Sequence, residues 1–430
     1  MWRLGLSAAL LASACQYDRP PDVMAIDATP VDAPPPCTPS TTVCDDAAGV
    51  YTECDAGGSV VRQLACPLGC ATDTEQCLDI DPHNGLAMYL DMVAAPPDLL
   101  ATGPIVIDST NGTIAEAGVA RDVPSFLSPG GLRVFVVNDL RAASTVDVVR
   151  APGAPGIAVL ASGTIIIEGV VDVSANGDVA GPGGAAPASS DSDCTMFDFF
   201  SPSPQGIQGL GGGGGYALGG AGGSAFAGTV GPPGPVHPLG TGNFGGCAGG
   251  TYFESSPTVI GGAGGGGLQL VSRRSITLTA GATLDASGGG GHSTLANRPG
   301  AGGGAGGVLL LEAPTITLDG PRVVLSVKGG GGGGAGNATL RGGNGGDGGT
   351  DAMPAAGGWT PATGGGGTGG LAGGGEGGLT GLANEHHGGG GGGSAGFIAT
   401  FSASGTTAPT NGAALRGPHI DGRLGTRHVP

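Results

Sequence analysis

The chain has 430 residues, 96 of them glycine, with 4% aromatics and a formal net charge of −18. Scattered arginines and a single lysine, Lys328, in so acidic a chain exclude a basic nucleic-acid interface. The length admits two or three domains. Glycine buries no apolar surface and is the costliest residue to order, so the glycine-rich segments are expected not to build a core of their own.

In chain order, residues 1–14 read as an export signal: Arg3, an apolar run from Leu4 to Leu11, then Ala12-Ser13-Ala14 before Cys15. The run is too short to span a bilayer. These residues resemble the lipobox of bacterial lipoproteins, which implies cleavage before Cys15, lipidation of Cys15 and a membrane partner reached through the lipid. Gln16 resembles the arrangement that directs such proteins to the outer membrane. Residues 15–36 are rich in Asp and Pro, end in Pro34-Pro35-Pro36, and read as an extended tether.

Residues 37–80 hold Cys37, Cys44, Cys54, Cys66, Cys70 and Cys77. Setting Cys15 aside leaves eight of the nine cysteines, an even number suited to disulfides in an oxidising compartment. So small a module needs such staples, and its spacing leaves the connectivity open. A zinc site is disfavoured by the absence of a Cys-x2-Cys pair, with only His83 nearby. The Cys66-Pro67-Leu68-Gly69-Cys70 stretch and the following Asp81-Pro82-His83-Asn84-Gly85-Leu86 resemble small modules of myxobacterial surface proteins, a family that implies no particular activity.

Residues 81–177 and 268–430 are expected to form an all-β, parallel, right-handed β-helix (solenoid). The evidence is a stretch of about 21 residues that recurs from Ile157, Leu268 and Val308, each copy closed by Gly177, Gly288 or Gly329. Apolar residues alternate within each copy, as in strands with one buried face. The expected columns are Ile157–Leu268–Val308, Ile165–Ile276–Ile316 and Ile167–Leu278–Leu318. In the third strand Val171 and Val173 are matched with Ala282 and Leu284, then with Val323 and Leu325 after a one-residue shift. Upstream, Ile105–Ile107, Val134–Val137 and Val146–Val149 read as terminal strands, and Phe397–Phe401 matches the first strand alone.

Residues 178–267 form a glycine-rich insertion carrying Cys194 and Cys247, whose bridge would close a long loop. Further glycine tracts run over 289–307 and 330–396, so all three follow the same point of the repeat. Disorder and packed polyglycine II strands both stay open for them. Their composition resembles that of the mycobacterial PE-PGRS proteins.

Chemistry is sparse. Gly342 to Gly349 approaches the calcium nonapeptide of RTX proteins but lacks its hydrophobic residue and a second copy. Gly392-Gly393-Ser394-Ala395-Gly396 fits G-x-S-x-G without the strand-then-helix setting of a nucleophile elbow. Glu385, His386 and His387 form one local group of metal-ligand character. Ile166, Thr277 and Thr317, with Asp172, Thr283 and Val324, are read as outward, so no acid pair repeats across units. No catalytic residue, metal or cofactor is assigned. The expected function is a non-enzymatic outer-membrane or cell-surface lipoprotein with a structural or adhesive role and a cell-surface polysaccharide or protein as partner. The runner-up is a carbohydrate-active β-helix enzyme with a loop-built site.

Overall fold

Short β-rich apolar bursts separated by tight turns become three parallel sheets, each taking one strand from every successive repeat. The computed structural model describes residues 37–429 except 67, 72–75, 188–244, 252–258, 294–298, 337–338, 360–364, 372–374 and 376–387. Residues 1–36, expected to be signal and tether and including Cys15, lie outside the described residues, as do Cys194 and the Glu385–His387 group. No described helix is long and apolar enough to cross a membrane.

The first sheet aligns Leu132–Val137, Gly156–Ala161, Gly267–Ser272, Val308–Glu312, Phe397–Ser402 and His419–Arg423 in parallel, with Ser125–Leu127 antiparallel at one edge. The second aligns Leu99–Ala101, Leu140–Ala142, Thr164–Ile167, Ser275–Leu278 and Thr315–Leu318. The third runs from Ile105–Asp108 through Val146–Val148, Val170–Asp172, Thr283–Asp285 and Val324–Ser326 to Ala414–Arg416. Two antiparallel strands, Thr113–Glu116 and Val119–Arg121, extend that sheet beyond Ile105–Asp108.

The inward columns form one core. Ile165, Ile276 and Ile316 stand in register, as do Ile167, Leu278 and Leu318. Two expected registers are corrected. In the first strand Leu268 pairs with Leu309 rather than Val308, so Leu309 and Leu311 enter the core. In the third strand Val171 pairs with Leu284, and Leu284 with Leu325. The turn before that strand differs in length among the copies: Glu168-Gly169, then Thr279 to Ala282, then Asp319 to Val323. A fixed spacing therefore misaligns everything after it.

At the far end of the core, apolar residues give way to polar ones. His419 follows Ile398 in register and Asp421 follows Thr400. The buried Thr400 Oγ1 donates to Asp421 Oδ1 (2.5 Å) and lies 3.0 Å from His419 Nε2. An atypical last unit of this kind ends the apolar column without leaving an exposed apolar end.

The first-sheet strands are buried on both faces. Residues 77–92 cover part of the outer face: Ile80, Leu86, Tyr89 and Leu90 pack on Leu132, Val134, Val136, Ala158, Leu160 and Val271. Cys77–Ile80 pairs antiparallel with Thr426–Val429. The carboxylate of Asp79 receives Arg273 (2.7 Å) and Arg427 (2.9 Å), and the same two guanidiniums reach Asp91, each at 2.7 Å. Upstream, the antiparallel strands Thr42–Asp45, Val50–Cys54 and Val60–Ala65 are stapled by Cys37–Cys54, Cys44–Cys70 and Cys66–Cys77.

Of the two states left open for the glycine tracts, their described parts adopt the packed one. Much of their described length, including 261–267, 286–291, 299–307, 329–336 and 388–396, is buried and cross-linked through main-chain hydrogen bonds with a three-residue period. Gly300, Gly303 and Gly306 donate to Gly388, Gly391 and Ser394. Ala301, Gly304 and Gly307 donate to His292, Gly289 and Ala286, while Gly302 and Ala305 donate to Gly250 and Cys247. One strand thus turns a different face to each of three neighbours, the symmetry of polyglycine II. A Cβ at Gly304 would overlap the Ala263 carbonyl oxygen, and one at Gly303 that of Gly330. The side chain is absent because the neighbouring backbone occupies its place. Burial here satisfies peptide groups rather than apolar side chains.

Candidate functional site: a carboxylate ladder on the third sheet

The third strand of two successive units ends in Asp-x-Ser: Asp172-Val173-Ser174 and Asp285-Ala286-Ser287. Asp147, Asp172 and Asp285 occupy equivalent positions on three adjacent strands. The reading that no acid pair repeats is therefore corrected. Asp285, not Thr283, aligns with Asp172, for the same reason of turn length. Neighbouring carboxylates on one face are separated by an interstrand step of about 4.8 Å.

Each acid closes a local turn. Asp172 Oδ1 accepts from Ser174 N–H (2.9 Å) and Ser174 Oγ (2.6 Å), and its Oδ2 accepts from Arg150 at 2.6 Å. Asp285 Oδ1 accepts from Ser287 N–H (3.0 Å) and Ser287 Oγ (2.6 Å). Burial pushes the Asp285 carboxyl up to about 6, with the Asp172 charge adding to the rise while Ser287 and Lys328 oppose it. The two acids therefore differ: Asp172 has a guanidinium partner, and Asp285 holds its proton well above the usual carboxylate range.

The ladder continues into Ser326, whose Oγ donates to Gly349 O at 2.7 Å. Beyond it the buried Lys328 donates to Met353 O (2.7 Å) and to the Asp351 carboxylate. That hydrogen bond holds the Asp351 carboxyl below its ordinary value. The chain's one lysine is spent on fixing a loop against the sheet.

The motifs singled out in the sequence fall elsewhere. Asp347, in the nonapeptide-like stretch, accepts from Gly177 N–H (3.1 Å) and Gly290 N–H (2.7 Å), and Asn344 Oδ1 accepts from Ser293 N–H (2.9 Å). These side chains stand in for a neighbouring glycine strand at the border of the layer. Ser394 is buried inside that layer and its carbonyl accepts from Gly306. The sulfurs of Cys44, Cys66 and Cys70 gather within 4.8 Å of one another and all belong to disulfides. Cys247 is also disulfide-bonded, and the other member of its pair lies outside the described residues.

No protein-family model, no curated protein and no solved structure matches this chain. The fold and its chemistry therefore rest on the residues themselves.

Proposed function

We propose that this chain is an exported lipoprotein, anchored through Cys15 at the outer membrane or cell surface, with a structural or adhesive role and no catalytic activity. In this reading the three sheets form a parallel β-solenoid, right-handed because crossovers between parallel strands take that hand. Residues 15–36 lift the folded part from the membrane, and a cell-surface polysaccharide or protein is the partner. The observation that carries the reading is the glycine layer joined to the sheets. It is a broad, side-chain-poor mass bonded through its own backbone, which suits a rigid support better than a reaction centre.

One observation favours the enzymatic alternative, a polysaccharide lyase or hydrolase. A carboxyl group whose pKa is raised by burial, with a second carboxyl group on the adjacent strand, is the arrangement of paired carboxylates in sugar-cleaving enzymes. Against it, Oδ1 of both Asp172 and Asp285 is tied to its own Asp-x-Ser turn, and Asp172 Oδ2 to Arg150.

The test has two arms. Cys15→Ser should move the protein from the membrane fraction to the soluble one after export, and a soluble wild type refutes the anchor. Glycan-array binding should be positive while a polysaccharide-cleavage screen stays blank. Cleavage abolished by Asp285→Asn or Asp172→Asn would establish the enzyme instead.

A further inference from the structure

Glu312 is the buried charge that the glycine layer and the carboxylate ladder leave unexplained. It sits on the outer face of the first sheet with its side chain fully buried. It accepts from His83 Nδ1 at 2.6 Å, from His83 N–H at 3.1 Å and from Gln269 Nε2 at 2.5 Å. Two of these three bonds come from one residue of the covering segment. Asn84 Nδ2 donates to Gln269 Oε1 at 2.9 Å, and the His83 ring lies 4.2 Å from that of Phe401.

We propose that residues 77–92 are a strap that opens from the outer face of the first sheet as pH rises, with the contact between His83 and Glu312 as its latch. A buried carboxylate is tolerated when paired and costly when its partner loses charge. From the strand Val308–Glu312, Glu312 faces His83. From the strap itself, Asp81 adds negative potential. From Gly267–Ser272 and Phe397–Ser402 come the uncharged Gln269 and Phe401. The Glu312 hydrogen bond raises the His83 pKa above its ordinary value, burial opposes, and the charges of Glu312 and Asp81 add to the rise.

The other ionic ties of the strap do not titrate in this range. Burial opposes, but Asp91 and Asp79 raise the Arg427 pKa above its ordinary value, and the Arg427 and Arg273 guanidiniums hold the Asp91 carboxyl below its usual value despite the opposing effect of burial. His419, in the end cap, is pushed down by burial. His428 stands opposite Leu78 in the strand that pairs with the strap. A histidine whose pKa is raised on folding contributes stability that is complete below its unfolded value, about 6.5, and that disappears as pH passes its folded value. Closure is thus favoured in mildly acidic solution and weakened in alkaline solution. Opening would bare Val134, Val136 and Leu160.

Hydrogen exchange on the full, oxidised chain tests this, with rates corrected for the intrinsic effect of pH. Protection of the amides of Cys77–Ile80 and of Tyr89 should fall between pH 6 and pH 9. The fall should be roughly tenfold for each pH unit by which His83 is raised. Protection of Ser275–Leu278 should stay level. His83→Gln should give low, flat strap protection, and Glu312→Gln should also remove the dependence, which serves if the first variant fails to fold. His428→Gln should keep it. A strap equally protected at pH 6 and pH 9 in the wild type, or a fall that survives either latch substitution, overturns the proposal.

Discussion

A single added methyl group inside the glycine layer should be as damaging as a hole in an ordinary core. At Gly304 the new Cβ would overlap Ala263 O, with Ala263 C at 2.5 Å and Gly262 O at 2.8 Å. All three atoms are backbone, so no side-chain rotation relieves the clash and the strands must move apart. Overpacking of that kind costs about 1–3 kcal/mol. The movement also stretches the Gly304–Gly289 bond (2.8 Å) and the Ala263–Gly177 bond (2.9 Å). Leaving one buried peptide pair unmade adds about 1–3 kcal/mol, for a total of about 2–6 kcal/mol. Gly349 is the internal control, because a Cβ there meets nothing within 4 Å. Gly349→Ala should stay within about 0.5 kcal/mol of wild type. Urea titrations of the two variants, followed by circular dichroism, should separate their midpoints clearly. Equal midpoints would mean that the tracts are not packed and that the lattice contributes nothing to stability.

Three further outcomes follow from the core, the glycine layer and the ladder. Ile276→Asp puts an unpaired charge at a fully buried position in the central column, and should lower the circular dichroism melt sharply by unfolding adjacent units together. Deleting 330–396 should also be severe, since it removes the acceptors of Gly300, Gly303, Gly306 and Gly291 together with the Asp347 carboxylate; an unchanged melt would restore the view of these residues as mere loops. Asp285, with its folded pKa raised to about 6, favours the folded state less as pH climbs from its ordinary value through 6. Asp285→Asn can still accept from Ser287, so its stability should lack that decline in melts at pH 4 to 8. A variant curve parallel to wild type would show that Asp285 titrates normally.

Much of the sheet body was legible because its cause is local. Alternation in Ile165 and Ile167, repeated at Ile276 and Leu278 and again at Ile316 and Leu318, fixes which side chains face inward. The third strands were misread because turn length is set by how the chain rounds a corner, and apolar alternation carries no trace of it. That slip concealed the Asp172–Asp285 pair, although the repeated Asp-x-Ser was a usable signal. The glycine layer was hidden for a different reason. Its bonds join peptide groups that every residue possesses, and a three-residue period is visible only where a longer side chain marks it, at Arg341, Asn344, Asp347 and Thr350. The strap was illegible in another way, because His83 meets Glu312 across 229 positions with no pattern linking the two.

The pairing of Cys77–Ile80 with Thr426–Val429, and of Asp79 with Arg427 across 348 positions, has a consequence for the order of events. A chain that emerges N-terminus first, from a ribosome or a translocation channel, exposes residues 77–80 long before their partner strand exists. Units in the middle can zip onto one another as they appear, because each needs only the one before it. The cover over the first sheet cannot be completed until Thr426–Val429 has emerged. Until then the backbone of Cys77–Ile80 and the Asp79 carboxylate lack these partners, and a strand made much later completes one made early.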